Sequence, residues 1–159
     1  PEVARDLYFP NAIMPTPDGK RLIVNETLGN RLSVFDIAAD GGLSARRDWA
    51  VFGPLVQSES INDYIAGGKV AADGGVLDAE GAVWLADAVG NRALRVAEGG
   101  RVLQEVSTGQ LGTFACTLGG PDGRTLFLCV APDFMEHNRA PVREAQIWST
   151  RVDVPGLGF

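Results

Sequence analysis

The chain has no apolar run approaching the ~20 residues that a bilayer-spanning helix needs, and it has no basic cluster. Its formal net charge is −6, from 14 Lys and Arg against 20 Asp and Glu. Nucleic acid and anionic membrane surfaces both favour a basic face, so neither is expected as a partner. There are only two cysteines, Cys116 and Cys129, and one histidine, His137. Two cysteines without metal-ligand spacing make neither a disulfide framework nor a zinc site. Both are expected to be free, buried thiols in a reducing, cytoplasmic compartment. The chain opens at Pro1 without a signal-like segment. No helix of ordinary length is visible.

What is present is a repeat. Its first copy runs from Phe9-Pro10-Asn11 through the turn Pro17-Asp18-Gly19 to the strand-like run ending at Glu26. Its second copy runs from Ala72-Asp73-Gly74 through Glu80-Gly81 to Asp87. Asn11 stands eight residues before Gly19, and Asp73 eight before Gly81. Both copies continue into Gly-Asn-Arg, at Gly29-Asn30-Arg31 and Gly90-Asn91-Arg92. A third copy begins at Phe114-Ala115-Cys116 and turns at Pro121-Asp122-Gly123.

Short strands follow this layout. Proline presets φ, aspartate caps a turn and glycine accepts positive φ, so each Pro-Asp-Gly reads as a hairpin turn. The first unit is expected as strands over 12–16, 21–25, 31–37 and 43–52, and the second over 75–78, 82–86, 92–97 and 101–107. The third has strands over 114–118, 125–130 and 145–154, with no fourth before the end. Glu2 to Leu7 reads as the tail of a strand from a preceding unit. Gly53 to Lys69 reads as a surface insertion with one helical turn near Ser60 to Ile65.

At 159 residues, 45% of them hydrophobic, the chain is one domain, 1–159, with a real core. Units of roughly 50–60 residues, each with about four strands, give an all-β reading: a β-propeller of which about three four-stranded blades are present. Propellers close with ~4–8 blades, so this reads as the C-terminal part of a larger, incomplete ring. Its open sheet edges would be met either by missing N-terminal blades or by self-association.

In such a blade the innermost strand starts at one mouth of the central channel. Asn11 and Asp73 are expected just ahead of their first strands, at that mouth, with Asn25, Glu26 and Asp87 brought towards it. Ala115, the equivalent in the third unit, has no ligand to offer. An amide oxygen and a carboxylate are hard ligands that suit Ca²⁺ or Mg²⁺. Asn and Asp before a strand are also common turn formers, so spacing alone leaves both readings open. Glu26 and Asp87 read as supporting or turn residues, His137 as an exposed loop residue, and Trp49, Trp84 and Trp148 as core between blades.

The motifs go further. Phe-Pro-Asn ahead of Pro-Asp-Gly-Lys, Ala-Asp-Gly with Leu-Asp-Ala-Glu-Gly-Ala-Val-Trp-Leu-Ala-Asp, Phe-Ala-Cys-Thr-Leu-Gly-Gly and the ending Arg-Val-Asp-Val-Pro-Gly-Leu-Gly together resemble the senescence-marker-protein/gluconolactonase (regucalcin-like) family. The resemblance implies a six-bladed propeller that hydrolyses sugar lactones with one divalent metal: calcium, with Mg, Zn or Mn as alternatives. It implies Asn11 and Asp73 as metal ligands and Asp73 as the catalytic base or water-positioning group. The family's third ligand, a glutamate near the start of the full protein, has no counterpart here. Ala12 and Ala72 stand where the family usually has glycine and proline. The loop from Ala131 to Glu144 would overhang the channel mouth. Alternatives are a non-catalytic or truncated propeller used for binding, and a phosphotriester or ester hydrolase of the same fold.

Overall fold

The computed structural model describes residues 1–58 and 60–158. Three antiparallel sheets follow one another along the chain. The first is a meander of β1 (Pro10–Pro15), β2 (Arg21–Glu26), β3 (Arg31–Asp36) and β4 (Arg47–Val51). A connection carrying helix α1 (Ile61–Gly67) leads to the second. That sheet is formed by β5 (Ala72–Leu77), β6 (Val83–Asp87), β7 (Arg92–Val96) and β8 (Val102–Ser107). The third contains β9 (Gly112–Gly119), β10 (Thr125–Ala131) and β11 (Gln146–Arg151), with the short helix α2 (Glu136–Arg139) between the last two.

Strand alternation explains how the sheets stack. Successive side chains point to opposite faces, so in β6 Val83 and Leu85 join the core with Ile23, Leu32, Val34 and Trp49 of the first sheet. Trp84 turns the other way and packs with Cys116, Leu118, Leu126 and Leu128 of the third. A strand sandwiched on both sides has no room for polar alternation. Val-Trp-Leu-Ala-Asp is accordingly buried throughout. The third sheet has no neighbour beyond it among the described residues. Phe127, Cys129 and Ile147 share its outer face, with Cys129 opposite Ile147, and Ile147 is 76% exposed.

The hairpin turns behave as their chemistry dictates. Gly19, Gly81 and Gly123 have φ of 69°, 78° and 68°, a region costly for any residue with a Cβ. Asn30 and Asn91, one in each Gly-Asn-Arg turn, also take positive φ, which asparagine tolerates better than most residues. On the hairpin side, Asp78 is fully buried, accepts from the amides of Glu80 and Ala82, and pairs with Arg95 at 2.6 Å. The C-terminal segment crosses these turns. Ala79 donates to the Pro155 carbonyl and Gly156 to that of Gly123.

Several sequence expectations need correction. Residues 2–7 form no strand; the amides of Thr27 and Leu28 instead bond the carbonyls of Phe9 and Tyr8. The helical turn is a seven-residue helix, Ile61–Gly67. Trp49 and Trp84 are core, but Trp148 is 39% exposed on the edge strand β11, where no fourth strand covers it. Cys116 is buried and free as expected, whereas Cys129 is free but exposed, because it lies on the uncovered outer face.

Candidate functional site

Asn11 and Asp73 do not precede their strands; they lie inside them, at matching irregularities. In β1, Pro10 pairs with Glu26 and Ile13 with Val24, leaving Asn11 and Ala12 opposite Asn25 alone. In β5, Ala72 pairs with Asp87 and Gly75 with Leu85, leaving Asp73 and Gly74 opposite Ala86 alone. Two residues facing one is a β-bulge, which bends the strand and re-aims a side chain. The same device in adjacent sheets brings the two side chains together. The Asn11 amide donates directly to the Asp73 carboxylate across sixty-two positions of sequence.

The support beneath Asp73 comes from the end of β2. Fully buried Asn25 donates Nδ2 to the Asp73 carbonyl at 2.7 Å, while its Oδ1 is buried without a hydrogen-bond partner. The Thr27 hydroxyl donates to the Ala72 carbonyl at 3.0 Å and reaches the Asp73 carboxylate at 3.5 Å. Gly74 permits the close approach of the third sheet: a Cβ there would lie 2.7 Å from the Cα of Ala115. Ala12, at the matching place in β1, packs its methyl against the core. The bulge forms with alanine at this position. Ala72, where proline is usual, is fully buried in β5.

A cavity of about 300 Å³ opens over the pair. The first sheet contributes Phe9, Asn11, Thr27, Leu28 and Asn30, and the second Asp73, Ala88 and Val89. The connection supplies Val56, Ile61, Tyr64 and Ile65, so it is not a mere surface insertion but one wall of the site. Asn30 holds that wall at both ends. Its Oδ1 accepts from the amides of Lys69 and Val70, and its Nδ2 donates to the Pro54 carbonyl. The third sheet contributes Phe114, at a bulge between Thr113 and Ala115, with Phe134 of the 131–144 loop edge-on at 6.2 Å. Ala115, which stands at the spacing of Asn11 and Asp73, abuts Gly74 instead of lining the cavity. The loop does overhang the mouth as expected, through Phe134, while His137 lies exposed on α2 and outside the lining.

Asp73 is the only acidic side chain among the described residues of the lining. Burial pushes its carboxyl up to about 6, against the opposing pull of the Thr27 hydroxyl. No cationic side chain pairs with it among the described residues. Glu26 and Asp87 belong to the framework. Glu26 accepts from the Tyr8 amide at 2.7 Å and from the Ser33 hydroxyl. Asp87 accepts from the amides of Ala71 and Gly90 and pairs with Arg92 at 3.0 Å. Thr27, Phe114 and the α1 wall are what sequence reasoning missed, and Asn25, expected near the mouth, had been given no role there. Only the Asn25-Glu26 ending of β2 pointed toward them.

The donor set fits a hard divalent cation. A half-buried carboxylate without a basic partner touches an amide, and both face the same cavity. Calcium takes six to eight oxygens, so the remainder must come from water or from outside this set. Among the described residues, no group of three or more His, Cys, Asp and Glu gathers at one place.

Matching meanders stacked face to face, with paired bulges at one mouth, define a propeller-like fragment. Comparison with known proteins agrees. Residues 1–132 match the model of the SMP-30/gluconolactonase/LRE-like region, and the chain belongs to that family. A 6-deoxy-6-sulfogluconolactonase of Pseudomonas putida is 25% identical over 160 residues, covering 97% of this chain and 50% of that protein. The chain thus spans about half the length of this curated relative. Regucalcin of Agrobacterium tumefaciens, a calcium-binding protein, superposes with a TM-score of 0.68 at 24% identity, over 95% of this chain and 48% of that one. A gluconolactonase of Xanthomonas campestris gives 0.57 at 23% identity, over 80% and 37%. At these identities the two structures establish a shared fold.

Proposed function

We propose that this chain is the C-terminal half of a six-bladed propeller that hydrolyses lactones with the help of one divalent metal, calcium first. The observation that carries this reading is the meeting of Asn11 and Asp73, on two separate bulges, in the lining of one cavity. Membership of a family whose members include a sulfogluconolactonase and a gluconolactonase supports the reaction type and, for the whole protein, a sugar lactone as the substrate class.

Asn11 and Asp73 would hold the cation. Bound there, it would supply a Lewis acid that polarises an ester carbonyl and favours its developing oxyanion. This chain's own residues do the rest. Asp73 takes the proton of a water as the water oxygen bonds to the carbonyl carbon. The ring C–O bond then breaks and Asp73 returns the proton to the departing alkoxide, giving a hydroxy acid. Asn25 and Thr27 fix the backbone on either side of that carboxylate. The cavity walls hold the ring over it and thin the surrounding water.

The remaining partners follow from the fold. The outer face of the third sheet, with Phe127 and Ile147 uncovered, is where the missing blades would pack, or a second copy in their absence. The first test is titration calorimetry of Ca²⁺ into this chain and into Asp73→Ala. Binding that vanishes in the variant is expected. A wild-type chain that takes up no calcium would remove the metal site, leaving a non-catalytic binding propeller as the better reading.

A further inference from the structure

The connection between the first two sheets is far longer than the join requires. The second sheet reaches the third through residues 108–111 alone, whereas the first reaches the second through 52–71. Long loops inside a compact fold are uncommon unless they carry function. This one is built to face inward. Ile61, Tyr64 and Ile65 recur at the i, i+3, i+4 spacing that puts side chains on one helix face, and all three line the cavity. Asn62, Asp63 and Ala66, on the other face of α1, are exposed.

No residue of α1 is fully buried, so packing alone does not fix the helix. The clamp does. Asn30 Oδ1 accepts at 3.1 Å from the amides of Lys69 and Val70, and its Nδ2 donates at 3.1 Å to the Pro54 carbonyl. One side chain thereby closes both ends of the loop. Gly53 leaves room for it, since a Cβ there would lie 2.6 Å from Asn30 Nδ2. The matching turn of the second sheet shows what the clamp serves. Asn91 takes nearly the same φ, 52° against 54°, yet among the described residues it bonds only through its backbone, to Thr108. The asparagine turn is common to both sheets; the clamp belongs to the long loop.

Tyr64 is what the clamp delivers. It is partly buried in the cavity that Asn11 and Asp73 line, and its hydroxyl has no hydrogen-bond partner among the described residues. The other polar side chains of the lining are engaged: Asn30 with the loop, Thr27 with Ala72 and Asn11 with Asp73. A phenol both donates and accepts, and tyrosine presents an apolar body behind a polar tip. That suits a sugar ring, with its C–H face and its hydroxyl edge. We infer that the Tyr64 hydroxyl holds one ring hydroxyl of a polyhydroxylated lactone, and that Asn30 acts through it as a positioning residue by pinning the α1 loop. This rests on the lactone-hydrolase reading for the identity of the ring and adds a specificity contact from outside the repeated units.

Calorimetry in the presence of Ca²⁺ tests it with a hydrolysis-inert polyhydroxylated δ-lactam and the analogues that each lack one of its hydroxyls. The wild-type chain is expected to bind the parent lactam, and one deoxy analogue about fivefold more weakly, the usual size of one neutral hydrogen bond. Tyr64→Phe should lose the same factor on the parent and nothing further on that analogue, the signature of a direct pair in a double-mutant cycle. Its Ca²⁺ uptake should be unchanged, which separates a lost contact from a lost fold. Asn30→Gly keeps the positive φ without the amide. It should speed amide exchange over 60–69, weaken the parent lactam, and add little to Tyr64→Phe when the two are combined. Full additivity of the two variants would remove Asn30 from this role. Parent binding untouched by Tyr64→Phe, or a loss equal across all the analogues, overturns the inference and leaves the lactone reading standing. A wild-type chain that binds no lactam overturns the lactone reading and this contact with it.

Discussion

Glu26 and Asp87 occupy one place in two successive sheets: each is the last residue of a second strand, opposite the residue just before the bulge, and each is wholly buried. Glu26 ties the entering chain at Tyr8 to the first sheet, and Asp87 ties Ala71 to the second. These carboxylates fasten the strand ends from which Asn11 and Asp73 project.

Replacing Asp87 by alanine strands the Ala71 amide and leaves Arg92 with the exposed Glu105 alone. A loss of about 3 kcal/mol is expected in denaturant unfolding, in line with the breaking of a buried ion pair. Asp87→Asn should lose less, because its oxygen still accepts. A midpoint unchanged in Asp87→Ala would show that the carboxylate does not hold the turn.

Asn25 positions the backbone of Asp73 without facing the cavity. Asn25→Ala is expected to cost about 1–3 kcal/mol of stability, the usual penalty for a buried carbonyl left unpaired. It should also weaken Ca²⁺ uptake, whereas Thr27→Val should weaken uptake with little change in stability. Calorimetry and unfolding on the same samples separate the two effects. Unaltered calcium affinity in both variants would place the cation elsewhere.

The two cysteines should part company in alkali. Burial pushes the Cys116 thiol up to about 12, from an ordinary value of 9.0. Between those limits the unfolded chain releases a proton that the folded chain keeps, so stability falls as pH rises. Cys116→Ala should flatten that fall above pH 9, as read from unfolding free energies across the range. Exposed Cys129 should react with a thiol reagent in the native protein, and Cys116 only on unfolding. Equal rates for both thiols would contradict the packing of the third sheet.

The outer face of the third sheet should associate. Sedimentation velocity is expected to show species heavier than the monomer as concentration rises, with Ile147→Asp and Phe127→Asp shifting them back. A monomer at every concentration would mean that this face needs no cover.

Much of this architecture was legible in the sequence. Hairpin positions are fixed by Pro-Asp-Gly, where φ leaves little choice, and Trp49 and Trp84 read as core between blades, where the structure buries them. The Asn11–Asp73 pairing was legible too, because the repeat preserves spacing. The bulges were not. A bulge is a property of pairing between strands, and nothing in Asn11-Ala12 or Asp73-Gly74 alone reports how many residues stand opposite. Hence the strands seemed to begin after these residues, and Ala115, which has no ligand to offer, seemed to hold the equivalent position where Phe114 faces the cavity. The α1 wall was hidden for a similar reason. Val56, Ile61 and Ile65 are scattered through polar residues, and only the Asn30 clamp folds them inward.

The paired bulges also make this mouth a matter of arithmetic. Deleting one residue at Ala12 would restore regular pairing in β1 and rotate Asn11 out of the cavity, whatever residue then stood beside it. Substitutions around the mouth can drift widely and leave the pair in place. Insertions and deletions cannot, so divergence here should be written in spelling and seldom in length.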